Sequence, residues 1–152
     1  MLAQKKNKTA IWIIIAVLFL MVDRGFKSLA VTGFWDEPSF LIKDFFSLHF
    51  FKNYYIAFSI PWLSGNTLNV LILFIIAGLF YYLVFLCKKQ ESYSKIVLTV
   101  FLILGAASNF FDRIKLGYVV DYFDLRYFTV FNIADIMILI GAGGLIWMNI
   151  KK

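Results

Sequence analysis

The chain has very little of what soluble catalysts are usually built from. Of its 152 residues, one is cysteine and one is histidine. Cys87 alone closes no internal disulfide and offers no zinc-ligand spacing. It reads as a small apolar residue at the end of an apolar run, with juxtamembrane palmitoylation as the alternative. His49, in Ser47-Leu48-His49-Phe50, has no acid or serine at triad spacing and belongs to no His-Glu-x-x-His pattern, so it reads as a packed or hydrated loop residue. A glycine loop able to cradle phosphate is also missing. Charged residues are only 16% of the chain against about 25% in soluble domains. The AVILMFWYC set reaches 62%, and mean hydropathy is +0.82. That balance argues against both disorder and an ordinary soluble enzyme. A net charge of +6 would suit nucleic acid. Here the bases flank apolar runs instead of forming a stripe, so no nucleic-acid partner is expected.

What is present is four long apolar runs in a chain short enough for one domain, residues 1–152. A bilayer core of about 30 Å takes roughly 20 helical residues. The expected spans are residues 9–31, 66–87, 96–111 and 132–150. The first works as a span only if Asp23, Arg24 and Lys27 lie near its outer end. Between the first two spans lies a segment holding Gly33, Pro38, Pro61 and Gly65, rich in Phe and Tyr with alternating polar positions. It reads as a folded extramembrane piece with short strands. The fold class expected is therefore an all-α membrane protein of four transmembrane helices, with a small β-containing segment between helices one and two.

The N-terminus also has elements of a secretory signal: Lys5, Lys6 and Lys8, an apolar run, then Ser28-Leu29-Ala30. Charges at Asp23, Arg24 and Lys27 interrupt that pattern and three more spans follow, so the first segment is expected to stay as a helix. Orientation follows from the basic residues of short loops. With the N-terminus inside, the inner side collects Lys5, Lys6, Lys8, Lys88, Lys89, Lys95, Lys151 and Lys152 against Glu91 alone. Both termini are expected in the cytoplasm, and every other acid falls at or beyond the outer face. Aromatic pairs such as Phe45-Phe46, Phe50-Phe51 and Tyr81-Tyr82 read as interface anchors and packing.

Chemistry concentrates between Leu104 and Ala142. Asn109, Asp112 and Arg113 stand at i, i+3 and i+4, on one helix face, and Asn132 and Asp135 repeat the i, i+3 relation. A carboxylate at membrane depth costs at least ~2.5 kcal/mol on insertion scales and marks a polar interior. Asp135, set among Ile133, Ala134, Ile136 and Met137, meets that argument most directly. For Asn109, Asp112 and Arg113 two readings stay open: a clamp in which Arg113 pairs with a carboxylate, or a direct catalytic role. Asp121 follows Gly117-Tyr118-Val119-Val120, whose glycine permits a tight return toward the membrane. Taken alone, Asp121 reads as either a hydrated loop acid or a functional one.

These motifs resemble the lipoprotein signal peptidases, or signal peptidase II, a family of four-span aspartic peptidases of bacterial inner membranes. The family carries Asn-x-x-Asp-Arg, then Gly-x-Val-x-Asp-Phe, then Phe-Asn-x-Ala-Asp. The chain has Asn109-Phe110-Phe111-Asp112-Arg113, Gly117-Tyr118-Val119-Val120-Asp121-Tyr122 and Phe131-Asn132-Ile133-Ala134-Asp135, in the same order. Asp23 and Lys27 keep the family's Asp-x-x-x-Lys spacing. Asn53-Tyr54-Tyr55-Ile56-Ala57-Phe58-Ser59 is similar to its Asn-x-Gly-Ala-Ala-Phe-Ser. The chain departs from the pattern where Tyr55 and Ile56 replace Gly-Ala, Ser108 replaces a Gly and Thr129 a Pro, which marks a divergent member with an altered substrate groove.

The resemblance implies a catalytic pair at Asp121 and Asp135 that shares one proton and activates water. It further implies that Asn109, Arg113 and Asn132 orient the aspartates and substrate, that Asp112 braces Arg113, that Asp23 and Asn53 border the site, and that Lys27 is structural. The implied substrate is a prolipoprotein whose cysteine bears diacylglyceryl, cut before that cysteine, with lipid chains left in the bilayer. No metal or other cofactor is expected, membrane lipids are the surroundings, and the chain is expected to act as a monomer. Three readings compete. One is a channel or transporter lined by Asp135 and Asn109, although the spans show no inverted repeat. Another is a magnesium-dependent phosphotransferase using Asp112, Asp121, Asp124 and Asp135. The third is a non-catalytic scaffold.

Overall fold

The computed structural model describes residues 2–54 and 65–151. Its elements run α1 (Leu2–Val31), β1 (Ser39–Ile42), β2 (Phe46–Asn53), α2 (Gly65–Lys88), α3 (Tyr93–Leu116), β3 (Val119–Leu125), β4 (Thr129–Phe131) and α4 (Ile133–Ile150). Four helices are long and apolar enough to cross a membrane: Thr9–Val31, Gly65–Lys88, Tyr93–Leu116 and Ile133–Ile150. Their outward faces are almost entirely apolar, as a hydrocarbon surrounding requires. α1 passes unbroken through Ser28-Leu29-Ala30, and Ala30 is fully buried.

The third helix outruns the expected 96–111 span by five residues at its C-terminal end. The apolar run stops at Phe111, but Asp112 is buried against α1, so the helix has reason to continue. It ends at Gly117, which adopts φ +82 and donates its N–H to the Arg113 carbonyl. That left-handed cap is the tight return expected of this glycine.

The strands correct a second expectation. They come from the α1–α2 and the α3–α4 connections, and β1-β2-β3-β4 form one antiparallel sheet. Strands before α2 are expected and present, whereas the segment after α3, expected as loop, pairs into the same sheet. Consequently His49 lies on a strand, its ring 4.5 Å from that of Phe51, and Asp121 lies on the central strand β3.

Close approach of α3 and α4 sets the site. A Cβ on Gly105 would lie 2.5 Å from the Ala134 carbonyl, and one on Gly141 would lie 2.7 Å from the Leu98 carbonyl. Glycine at both positions lets the backbones touch. Asn109 lies one turn beyond Gly105, and Asp135 directly follows Ala134, so this contact brings the two together. Trp35, Tyr122, Phe26 and Phe123 then pack by their ring edges and fix the sheet over the ends of α1 and α4.

Candidate active site

Asn132 organises the centre. It is the N-cap of α4: its side chain accepts from Asp135 N at 2.9 Å, and its own N–H donates to Asp135 Oδ2 at 3.2 Å, a reciprocal capping box. Its Nδ2 also donates to Asp121 Oδ1 at 2.6 Å. One buried amide residue therefore holds both carboxylates. The remaining oxygens take amide donors as well: Asn109 Nδ2 to Asp135 Oδ1 at 2.7 Å, and Asn53 Nδ2 to Asp121 Oδ2 at 2.9 Å. Asp121 is 1% exposed, which overturns its reading as a hydrated loop acid. Burial, then the negative charge of Asp135, push its pKa up to about 7 against the pull of Asn53, Asn132 and Lys27.

Behind this pair lies a second cluster centred on Lys27, which is 1% exposed. Its ammonium contacts Asp112 Oδ2 at 2.8 Å and Asp23 Oδ2 at 3.3 Å, and donates to Asn109 Oδ1 at 2.7 Å. Arg24 pairs with the other oxygen of Asp112. Asp112, expected to brace Arg113, has its two oxygens each engaged by a cation of α1, so its bracing extends to the first helix. Arg113 donates to the Asn109 carbonyl at 3.4 Å and so stands beside the pair.

Asp23 is fully buried and ties four elements together. It accepts from Ser108 Oγ at 2.6 Å, Tyr122 OH at 2.9 Å and Ala134 N at 3.2 Å. Ser108 and Tyr122 stand where the family pattern has Gly and Phe, so two departures converge on one carboxylate. The Tyr122 hydroxyl also accepts from Ile133 N at 3.0 Å, and burial beside Asp23 keeps the phenol protonated far above its ordinary range. Arg24, Ser108 and Tyr122 were missed in the sequence. The i, i+4 pair of Asp23 and Lys27 was the one signal pointing toward this cluster.

All eight expected site residues, Asp23, Asn53, Asn109, Asp112, Arg113, Asp121, Asn132 and Asp135, thus lie in one connected region at the sheet end of the bundle. Tyr55 and Ile56, expected to shape the groove, lie outside the described residues. Asp124 is displaced along β3 toward the hairpin turns, and Asp112 is compensated by Lys27 and Arg24, so the oxygen-ligand set of a phosphotransferase does not converge. Among the described residues no three His, Cys, Asp or Glu side chains form such a group.

A family profile described as signal peptidase (SPase) II matches residues 15–151. The chain is 37% identical over 142 residues to a lipoprotein signal peptidase of Caldicellulosiruptor bescii, covering 93% of this chain and 91% of that one. Another, from Halothermothrix orenii, is 34% identical over 134 residues, with 88% and 90% covered. Among solved structures, two bacterial membrane enzymes obtained by the in meso method superpose with TM-scores of 0.79 and 0.75 at 29% identity. The first alignment covers 93% of this chain and 88% of that one, and the second covers 94% of each.

Proposed function

The chain belongs to the signal peptidase II family of aspartic-type membrane peptidases, and on that premise we propose that Asp121 and Asp135 are its catalytic pair. The observation carrying this assignment is the bridge at Asn132, which binds Asp121 Oδ1 through its side chain and Asp135 Oδ2 through its backbone. Two carboxylates held in one amide frame resist simultaneous ionisation and share a proton. The ionised member takes a proton from water as the water oxygen attacks the scissile carbonyl. The protonated member donates to the carbonyl oxygen. The resulting diol collapses when the C–N bond breaks and the leaving amine receives a proton from the pair. Asn109 and Asn53 hold the outer oxygens, while Arg113 orients the peptide.

The substrate is a diacylglyceryl-modified prolipoprotein, cleaved immediately before the lipidated cysteine. This reading is supported by the place of the pair, at the N-terminus of α4 where the apolar span begins, so that acyl chains stay in hydrocarbon while the peptide bond meets the carboxylates. The protein resides in the bacterial inner membrane with both termini in the cytoplasm and the pair at the outer face, as the distribution of Lys residues favours. It is proposed to act as a monomer. The test is cleavage of a lipidated precursor by Asp121→Asn and Asp135→Asn. Each should express and fold but leave the precursor uncut, and substantial turnover by either variant would overturn the assignment.

A further inference from the structure

The β1–β2 and β3–β4 turns lie side by side at one end of the sheet. Arg126 N donates to the Phe45 carbonyl at 3.1 Å, and the Arg126 guanidinium pairs with Asp44 at 2.9 Å. Around this ion pair stand Phe40, Leu41, Ile42, Phe45, Tyr127 and Phe128, all exposed, the last two at 78% and 77%. A water-facing sheet end would not carry so large an apolar patch without a use for it. The composition is instead that of a bilayer interface, with aromatic rings beside basic side chains. Asp44 pairs with Arg126 and Asp124 lines the same recess, so with Lys43 the cluster is neutral; the apolar rings carry the contact, while Lys43 and Arg126 offer donors to lipid phosphate.

Position agrees with composition. Exposed apolar side chains of α1, Leu29 and Val31 among them, are followed by exposed Phe34, and after the exposed acids Asp36 and Glu37 the apolar exposure resumes at Phe40 in β1. Phe128 is four residue steps from Asn132, the cap of the fourth span, so at about 3.3 Å per step the turn reaches at most ~13 Å beyond it. Headgroup layers occupy the first ~5–7 Å beyond the hydrocarbon on each side. Both turns lie among headgroups when the sheet is inclined over the bilayer, which is the orientation the anchor requires.

We propose that the paired turns, residues 40–45 and 126–128, form a lipid-surface anchor that seats the sheet in the headgroup layer of the membrane crossed by the helices. The occupant is phospholipid of that same bilayer. The functional consequence rests on the catalytic reading above: β2 and β3 carry Asn53 and Asp121, so the anchor sets the depth at which the pair meets a lipidated substrate.

The test uses the full chain in vesicles of phosphatidylethanolamine and phosphatidylglycerol. Cys87→Ser frees a second position, Phe128→Cys, for an environment-sensitive fluorophore. The expected result is blue-shifted emission quenched by lipids spin-labelled near the headgroup. Water-like emission would overturn the anchor, as would blue-shifted emission without lipid quenching, which would mark a protein partner such as a second copy. The double variant Tyr127→Ser/Phe128→Ser should lower cleavage several-fold in vesicles while leaving it unchanged in detergent, and equal activity in both would also count against the anchor. Because the fluorescence readout needs no catalysis, a buried label on a protein that cuts no precursor would refute the peptidase assignment alone.

Discussion

Asp112 and Asp121 are both buried aspartates at the same end of the bundle, yet their partners give them opposite uses. Asp112 is enclosed by Lys27 and Arg24, and Asp23 beside it is satisfied by the same ammonium, two hydroxyls and a backbone N–H. Asp121 and Asp135 receive hydrogen bonds from amides. An amide satisfies a carboxylate oxygen without cancelling its charge, so burial still favours protonation of Asp121 on its strand. A cation beside a carboxylate balances its charge and holds it in place as an ion pair. The ion cluster is thus suited to holding α1, α3 and α4 together, and the amide-framed pair to exchanging a proton.

Exchanging carboxyl for amide at each site separates the two most sharply. Asp121→Asn or Asp135→Asn removes a proton carrier from the pair and should lower turnover by about 10²–10⁴-fold, the range typical of a lost general acid or base. Stability should hold. Asp112→Asn should do the reverse, because it strands Lys27 and Arg24 without their shared counter-charge and breaking a buried pair costs about 3–5 kcal/mol. Thermal unfolding in detergent should then shift down strongly, with the surviving folded fraction still cutting precursor. If Asp112→Asn were stable and inactive, the division between the clusters would fail.

Gly105→Ala probes the contact joining the regions. A methyl group aimed at the Ala134 carbonyl forces α3 from α4, with an expected loss of about 1–3 kcal/mol from overpacking. It also moves Asn109 relative to Asp135, so activity should fall more than stability. A parallel fall in both, read from unfolding and turnover on one preparation, would show that the contact serves the fold alone.

How far these regions were legible in the sequence depends on whether the signal was local. Helical spans and the Asn132–Asp135 relation repeat over a few residues, and the structure reproduces them with shifted ends. Asp121 was legible as a motif residue but not as a strand residue, since β3 pairs with β2, whose Asn53 is 68 residues away. The same distance problem hid the Tyr122 and Ser108 hydroxyls on Asp23, where each partner is ordinary in its own neighbourhood and informative only once paired. The exposed turns at Phe45 and Tyr127 were likewise unreadable as a single patch.

The gentlest way to sharpen the contrast is pH. With its pKa raised to about 7, Asp121 binds its proton more tightly in the folded chain than in the unfolded one. Its contribution to stability is complete below about 4 and is lost as pH rises through about 7. Midpoints of unfolding should therefore decline over that interval, and Asp121→Asn should flatten the decline because an amide does not titrate. Catalysis follows the same proton from the other side. A pair that needs one proton loses it on the alkaline limb, so kcat/KM for the lipidated precursor should fall about tenfold per pH unit above about 7, or about 1.4 kcal/mol per unit. A rate still climbing at pH 8 would mean that the acid lies elsewhere and that the amide frame around Asp121 is as inert as the cation cage around Asp112.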